Sequence, residues 1–260
     1  MRRGFKKYFG PAVVLAILSV AGAVYAQQAV APSEEQVKER LGFIETALDK
    51  GQPRAKTWFY GWLGVYSVGT AAQWGLSLAH WNDLKPADDS PGAPMVHDRG
   101  FAQDMLVGGG TTALGVIGLL IDPFLPAQGA RKLKSLPEAT PDERLAKLAK
   151  AEELLRLCAE REKAGQGFAT HLLNLGVNAA AGIVTAAAFK RPWTDGLLTF
   201  AAGEAVSLVN IYTQPRRAIH DWQNYEVQFK GRQGNVAPEP AERGWSLSLY
   251  PGGFSFGLSW

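Results

Sequence analysis

The sequence predicts a mainly α-helical protein: a helical bundle of about six helices that ends in a C-terminal β-hairpin. The helices are predicted by amphipathic stripes that follow capping sequences and by four long apolar stretches rich in alanine and glycine. The hairpin is predicted by period-two alternation of apolar and small residues in both arms of the tail, residues 245–249 and 254–260. The bundle is expected to occupy residues 27–230 and the hairpin residues 244–260.

Residues 1–26 have the residue order of a cleavable secretory leader. A basic head over residues 2–7 precedes an uncharged run over residues 12–24, and Val24-Tyr25-Ala26 supplies the cleavage sequence. The run is too short to span a bilayer, so cleavage after Ala26 is predicted. We therefore expect an exported protein, in the periplasm or a membrane of a bacterial cell envelope. Arg2-Arg3 also resembles part of the twin-arginine motif, which leaves export in a folded state open.

Charge and cysteine content limit the classes of partner. The chain has 27 basic and 24 acidic residues, a formal charge of +3. Four of the basic residues and no acidic residue lie in the leader. The remainder of the chain therefore has 23 basic and 24 acidic residues, a formal charge of −1. Such a chain has no electrostatic basis for binding nucleic acid. Cys158 is the only cysteine, so the core must hold without an internal disulfide.

Two amphipathic helices are predicted to begin at capping boxes. Ser33 stands three residues before Gln36, and Thr140 stands three residues before Glu143. Apolar residues follow each box at helical spacing. The first stripe is Val37, Leu41, Ile44 and Leu48, and the second is Leu145, Leu148, Leu155 and Ala159. A further amphipathic piece is predicted over residues 216–229, before a Gly- and Pro-rich linker over 231–243.

Four apolar stretches lie between these elements. They cover residues 58–81, 105–121, 172–189 and 197–214, and residues 82–100 form a polar loop between the first two. Each of the two capped helices is followed by Gly-Gln-x-x-Ala and then by a pair of apolar stretches that ends at a proline. This order predicts a tandem repeat of helix-hairpin units over residues 33–127 and 140–218. The alternative is chance similarity among helices rich in alanine and leucine.

By length and composition, these stretches could be either membrane-embedded helices or helices of a water-soluble bundle. Residues 105–121 and 172–189 approach the roughly 20 residues that a span needs, and tryptophans near both ends of the first stretch resemble an aromatic belt. Glu204 opposes embedding, because an acidic residue in a span is costly. If the helices are embedded, Glu204, Asn174, Asn178 and Gln73 should face the bundle interior and hydrogen-bond there. In a water-soluble bundle, Glu204 would lie on a solvated stripe.

Ion pairs are predicted to orient the loops. Arg99 precedes Asp104 and Arg191 precedes Asp195, each at the start of an apolar helix, where an acidic residue also complements the helix dipole.

The histidine and aspartate residues of the first loop form a weak candidate for a metal or ligand site. This set is His80, His97 and Asp98. Because no pair has the spacing of a metal-binding helix, a hydrogen bond between His97 and Asp98 is the simpler interpretation, and no metal or cofactor is predicted.

Two glycine motifs match catalytic signatures without their structural context. Gly253-Phe-Ser-Phe-Gly257 matches a nucleophile elbow, but too few residues follow it for the acid and histidine of a hydrolase. The glycines at 108–110 match a loose dinucleotide fingerprint, but no strand precedes them. No catalytic residue is predicted.

The tail resembles the C-terminal strand of outer-membrane barrel proteins of Gram-negative bacteria. Phe254, Phe256, Leu258 and Trp260 alternate with small residues and end in an aromatic residue. Pro251-Gly252 fits the centre of a type II turn. One hairpin cannot close a barrel, so it must cover the bundle, pair with another copy or dock on a partner. We favour packing on the bundle, because an exposed apolar hairpin face would promote aggregation.

The sequence therefore predicts a non-catalytic structural or interaction protein of the cell envelope, embedded in a membrane. The expected partners are a membrane or other envelope proteins, with lipid and a second copy of the chain left open. The first alternative is a soluble periplasmic bundle that carries a lipid or other apolar ligand. The second is an envelope enzyme that uses His97, Asp98 and Glu204.

Overall fold

The chain folds mainly into α-helices, as the sequence predicts. The computed structural model describes residues 32–231 and, in the tail, the backbone of residues 244–250 and 253–259. The predicted leader, the predicted linker beyond residue 231 and the turn predicted at Pro251-Gly252 lie outside the described residues.

Long helices and two pairs of short strands make up the described part of the chain. The helices are α1 (Glu34–His80), α2 (Gly100–Ile121), α3 (Gly129–Lys134), α4 (Pro141–Gly165), α5 (Phe168–Ile183), α6 (Trp193–Thr213) and α7 (Arg217–Tyr225). α5 and α7 continue into single π-helical turns, Val184–Ala188 and Glu226–Lys230, and a 3₁₀ turn covers Leu125–Ala127. The strands are β1 (Leu84–Pro86), β2 (Met95–His97), β3 (Gly244–Tyr250) and β4 (Gly253–Ser259).

Both predicted capping boxes are present. The Gln36 backbone N–H donates to Ser33 Oγ at 3.2 Å, and the Ser33 N–H donates to Gln36 Oε1 at 2.9 Å. Thr140 and Glu143 make the same reciprocal pair at the start of α4, at 3.2 and 3.1 Å. Each box satisfies two N–H groups that a helix start leaves without partners, which fixes where α1 and α4 begin.

Three segments of the chain pack into one unit, which we call the head: residues 34–54, 122–165 and 214–231. The predicted stripe of α1 lies in its core, with Ile44 fully buried and Leu48 buried beside α4. Leu155 and Cys158 of α4 are also fully buried there, as is Tyr225 of α7. Leu145 is 42% exposed, because α4 turns Lys147 and Leu148 toward the core instead. Burial of one such large side chain contributes about 1.5–3 kcal/mol.

The remaining helical segments form a second part, which we call the apolar layer: residues 55–80, 100–121, 168–189 and 193–213. The second half of α1 packs against α2 as the first hairpin, and α5 packs against α6 as the second hairpin. The second hairpin crosses at Gly182 and Gly196, where a Cβ on either glycine would lie 2.5 Å from the carbonyl oxygen of the other. Only glycine at both positions permits this approach of the two backbones.

The structure differs from the predicted loop and helix starts in two respects. The segment over 82–100 contains the antiparallel pair β1–β2, with Lys85 opposite Val96, where the sequence predicts only a loop. α2 begins at Gly100 and α6 at Trp193, about one turn before the apolar stretches. Apolar content alone misses these first turns, because they carry polar residues and glycine that a helix start tolerates.

The tail strands pair with each other. Backbone pairing of β3 with β4 is antiparallel and runs from Gly244 opposite Ser259 to Tyr250 opposite Gly253. The backbone of β4 also approaches α5.

The two predicted repeat units differ where the amphipathic helix meets the apolar one. In the first unit α1 continues through Gly51 and Pro53 without interruption. In the second, α4 ends at Gly165 and α5 begins after Gly167, whose extended backbone (φ −77°, ψ 162°) breaks the helix. The repeat itself remains a prediction.

Gly182→Ala tests the close crossing of the second hairpin. The new Cβ would overlap a backbone oxygen, so we expect a loss of about 1–3 kcal/mol and a lower midpoint in thermal unfolding of the purified full chain. Gly176→Ala is the matched control in the same helix, because its Cβ would meet nothing within 4 Å. It should leave the midpoint unchanged or raise it, since alanine favours helix over glycine. Equal effects of the two changes would contradict the crossing.

Candidate functional site

The surface of the apolar layer exposes large apolar side chains along the four helices. Val68 and Leu198 are each 69% exposed, and Leu197 is 64% exposed. The head exposes few such residues, namely Leu145, Leu157 and Val227 among those described. Continuous exposure on this scale is typical of a surface that another apolar phase or partner covers.

Two segments of the apolar layer are long and apolar enough to cross a membrane: α2, and α5 together with its π-helical turn. Length and composition would equally suit the core helix of a soluble protein, which is mostly buried. Here only 11% of the apolar window in α2 and 28% of that in the second segment is buried. These helices are therefore not core helices of the described fold.

Aromatic side chains lie at both ends of the apolar layer. At the head end, Trp62 donates from Nε1 to Thr213 Oγ1 at 3.2 Å, and Tyr212 is 64% exposed. At the opposite end, which we call the loop end, Trp193 is 69% exposed and Phe101 is 49% exposed. Trp and Tyr rings, which have an apolar body and a polar group, are enriched at the two interfaces of a bilayer.

A cleft of about 750 Å³ separates the two hairpins. Its walls come mainly from α2 on one side and from α5 and α6 on the other, with Tyr66 and Gln73 contributed by α1. Leu114 and Val206 line the cleft and are 54% and 44% exposed, so it is open along its length. The volume lies within the usual range of ligand pockets, about 300–1,000 Å³.

The predicted interior polar residues lie in or beside this cleft. Asn178 is buried and donates from Nδ2 to Glu204 Oε2 at 2.9 Å and to Ser207 Oγ at 3.1 Å, which joins α5 to α6. Asn174 lines the cleft but donates to Thr170 O within its own helix, at 3.0 Å. Gln73 lies 3.5 Å from the Thr112 hydroxyl, across the first hairpin. Asn178 thus bonds Glu204 across the second hairpin, whereas the hydrogen bond of Asn174 stays within its own helix.

An ion cluster at the loop end links the two hairpins. Arg191 lies 2.8 Å from Asp195, its predicted partner, and 2.5 Å from Asp104 of α2, and it also donates to Gly100 O at 3.0 Å. The predicted pair of Arg99 with Asp104 was wrong. Arg99 instead stacks over the Trp81 ring, 5.4 Å from its centroid. The carboxylate of Asp104 pairs with Arg191, which reaches it from the second hairpin.

The histidines do not assemble a metal site. Among the residues described, no group of three or more metal-ligating side chains converges. His80 Nδ1 lies 2.7 Å from Asp83 Oδ2, and Asp98 accepts from Lys85 Nζ at 3.3 Å. The expected hydrogen bond between His97 and Asp98 was wrong, because the β1–β2 pairing brings Lys85 to Asp98.

Glu162 is a buried carboxylate of the head that the sequence did not single out. It is 1% exposed and accepts from the Ile219 backbone N–H at 3.2 Å, at the start of α7. Burial raises the pKa of Glu162 to about 7, and this effect outweighs the backbone N–H groups at the start of α7, which lower the pKa. One signal was available: Leu148, Leu155 and Glu162 follow at steps of seven on the buried face of α4.

Comparisons of the chain with models of protein families, with curated proteins and with solved structures gave no match.

A double-mutant cycle on Asp104→Asn and Arg191→Gln tests the ion cluster. Both residues are only partly exposed, so we expect a coupling free energy of about 0.5–3 kcal/mol in the unfolding of the purified chain. The matched cycle on Asp104→Asn and Arg99→Gln should give a coupling near zero. Coupling in the second cycle and none in the first would restore the pairing predicted from sequence.

Glu162→Gln tests the buried carboxylate through pH. In the folded chain the raised pKa keeps Glu162 protonated while the unfolded chain ionises, so stability falls as pH rises from about 4.5 to about 7. The glutamine variant lacks this loss, so it should gain on the wild type across that window, by up to about 3 kcal/mol. Unfolding free energies at pH 5 and pH 8 measure the difference. Glu160→Gln, an exposed neighbour, is the control, and a parallel pH dependence of wild type and Glu162→Gln would contradict the assignment.

Proposed function

We propose that this chain is an exported structural or interaction protein of the cell envelope, embedded in a membrane through its apolar layer and without catalytic activity. The supporting observation is that α2 and α5, the most apolar helices described, are largely unburied. Water would have to solvate that surface in a soluble protein, whereas hydrocarbon covers it without cost. The head would then lie on one side of the membrane and the β1–β2 loop on the other.

We further propose that the seven helices act as one bundle held at both ends of the apolar layer. At the head end Trp58 Nε1 lies 3.3 Å from both Asn210 O and Thr213 Oγ1, and at the loop end Arg191 joins the hairpins. The tail hairpin is proposed to cover part of the second hairpin, which the approach of β4 to α5 supports. A row of unpaired strand edges would otherwise favour pairing with another chain.

A second candidate function is favoured by the cleft. A periplasmic bundle that carries a lipid or another apolar ligand needs an apolar cavity with a few polar groups, and the space between the hairpins has both. In that case the exposed residues of α2, α5 and α6 would contact the ligand or a partner protein.

Leu175→Arg separates the membrane function from the soluble one. Leu175 is 44% exposed near the middle of α5 and does not line the cleft. In a membrane span, arginine there costs about 2.5–3.5 kcal/mol, which should lower the fraction of chain that resists carbonate extraction from envelope membranes. On a water-exposed surface the same change would be nearly neutral.

Leu157→Arg is the matched control, because Leu157 is 37% exposed on α4 of the head. The wild type and this control should stay in the carbonate-resistant pellet. Release of the wild-type chain into the carbonate supernatant would overturn membrane embedding and leave the ligand carrier as the function to test.

A further inference from the structure

The cleft between the hairpins differs in charge along its length. Its middle is lined by apolar side chains of α2 and α6, such as Leu114, Ile117 and Val206. Its loop end is lined by Asp104, Arg191 and Asp195, two carboxylates around one guanidinium. Uncharged polar side chains of α2, α5 and α6 also line that length. The cleft therefore has an uncharged, mostly apolar length and one charged end, which complements an amphiphile.

The charged end of the cleft has carboxylate oxygens that accept no hydrogen bond from the described residues 32–231. Two carboxylates and one guanidinium leave a formal charge of −1. Arg191 bonds Oδ1 of Asp104 and Oδ2 of Asp195, and the second oxygen of each carboxylate has no hydrogen-bond partner within residues 32–231. The side chains of Asp104 and Asp195 are 38% and 29% exposed and both line the cleft, so neither carboxylate is fully buried. A group with positive charge and several N–H donors complements them.

We propose that the cleft binds one lipid molecule whose head group carries a primary ammonium. The ammonium bonds the free oxygens of Asp104 and Asp195 at the loop end, and an acyl chain lies along the apolar walls between the hairpins. This inference rests on the proposed membrane location, where such lipids are neighbours of the cleft. α2 makes few contacts with α5 and α6, which leaves a gap between the hairpins. The bound lipid would fill this gap.

Bound phospholipid in the purified full chain tests the site. Ala202→Phe places a ring in the cleft wall from an exposed position of α6, and Ala201→Phe places the same ring on the same helix outside the wall. The wild type and Ala201→Phe, purified in detergent, should retain about one phospholipid per chain by mass spectrometry, and Ala202→Phe should retain about tenfold less. Equal retention in the two variants, or none in the wild type, overturns the site.

Head-group preference tests the ammonium. The delipidated chain is added to nanodiscs of phosphatidylethanolamine, phosphatidylcholine or phosphatidylglycerol, and bound lipid is measured after re-extraction. We expect about tenfold more phosphatidylethanolamine than either other lipid, because the choline head lacks N–H donors and the glycerol head lacks positive charge. Equal retention of the three lipids overturns the ammonium assignment.

Two further results separate this inference from the proposed function. If the chain resists carbonate extraction but retains no lipid, only the proposed lipid site is contradicted. If carbonate releases the chain with phosphatidylethanolamine still bound, only membrane embedding is contradicted. A dimer by native mass that Ala202→Phe dissociates would overturn the lipid, because a second copy would then fill the cleft.

Discussion

The structure depends on one continuous helix that belongs to both of its parts. α1 has 47 residues, a length of about 70 Å at roughly 1.5 Å per residue. Its first half buries a single stripe in the head, and its second half exposes apolar side chains as part of the first hairpin. The change falls near Pro53, which removes one backbone hydrogen bond without ending the helix. Because the helix is continuous, the orientation of the head fixes that of the first hairpin.

The second hairpin has no such continuous link, so its polar contacts determine how it is held. Asn178 and Glu204 join α5 to α6, but hydrogen bonds of this kind in membranes are worth only about 0.6 kcal/mol on average. In the proposed membrane location an acidic residue costs roughly 2.5–3.5 kcal/mol, so these bonds alone would not offset Glu204. The close crossing at Gly182 and Gly196 and the contacts at both ends of the layer would then supply the remainder. Arg191 at the loop end and Trp58 at the head end supply those contacts.

Local signals in the sequence predicted the elements, and contacts between distant segments could not be predicted from them. Capping boxes and apolar stripes identified α1, α4 and their buried faces, because both signals act within a few residues. The predicted partner of Asp104 was wrong, because the observed partner Arg191 lies 87 residues away in the chain whereas Arg99 is a near neighbour in sequence. The spacing of Glu162 after Leu155 indicates its burial, but its N–H partners belong to α7, 57 residues further on, so its hydrogen bonds could not be predicted. Of the polar residues of the layer, Asn178 is buried and bonds across α5 and α6, while Asn174 bonds within its own helix, and local spacing does not distinguish the two.

The three segments of the head constrain any path through a membrane. They are separated by the first and second hairpins, and they pack into one core, so each hairpin must return to the side from which it entered. In the proposed membrane location, the two hairpins would satisfy this condition with four crossings. The basic residues of the described chain lie mostly in the head, with Lys85, Arg99, Lys190 and Arg191 at the loop end, and this bias alone favours a cytoplasmic head. The predicted leader favours the opposite side. The first segment to insert usually dominates topology. If the proposed leader directs export, it inserts before the described apolar helices, and the proposed topology then has the head outside the cytoplasm.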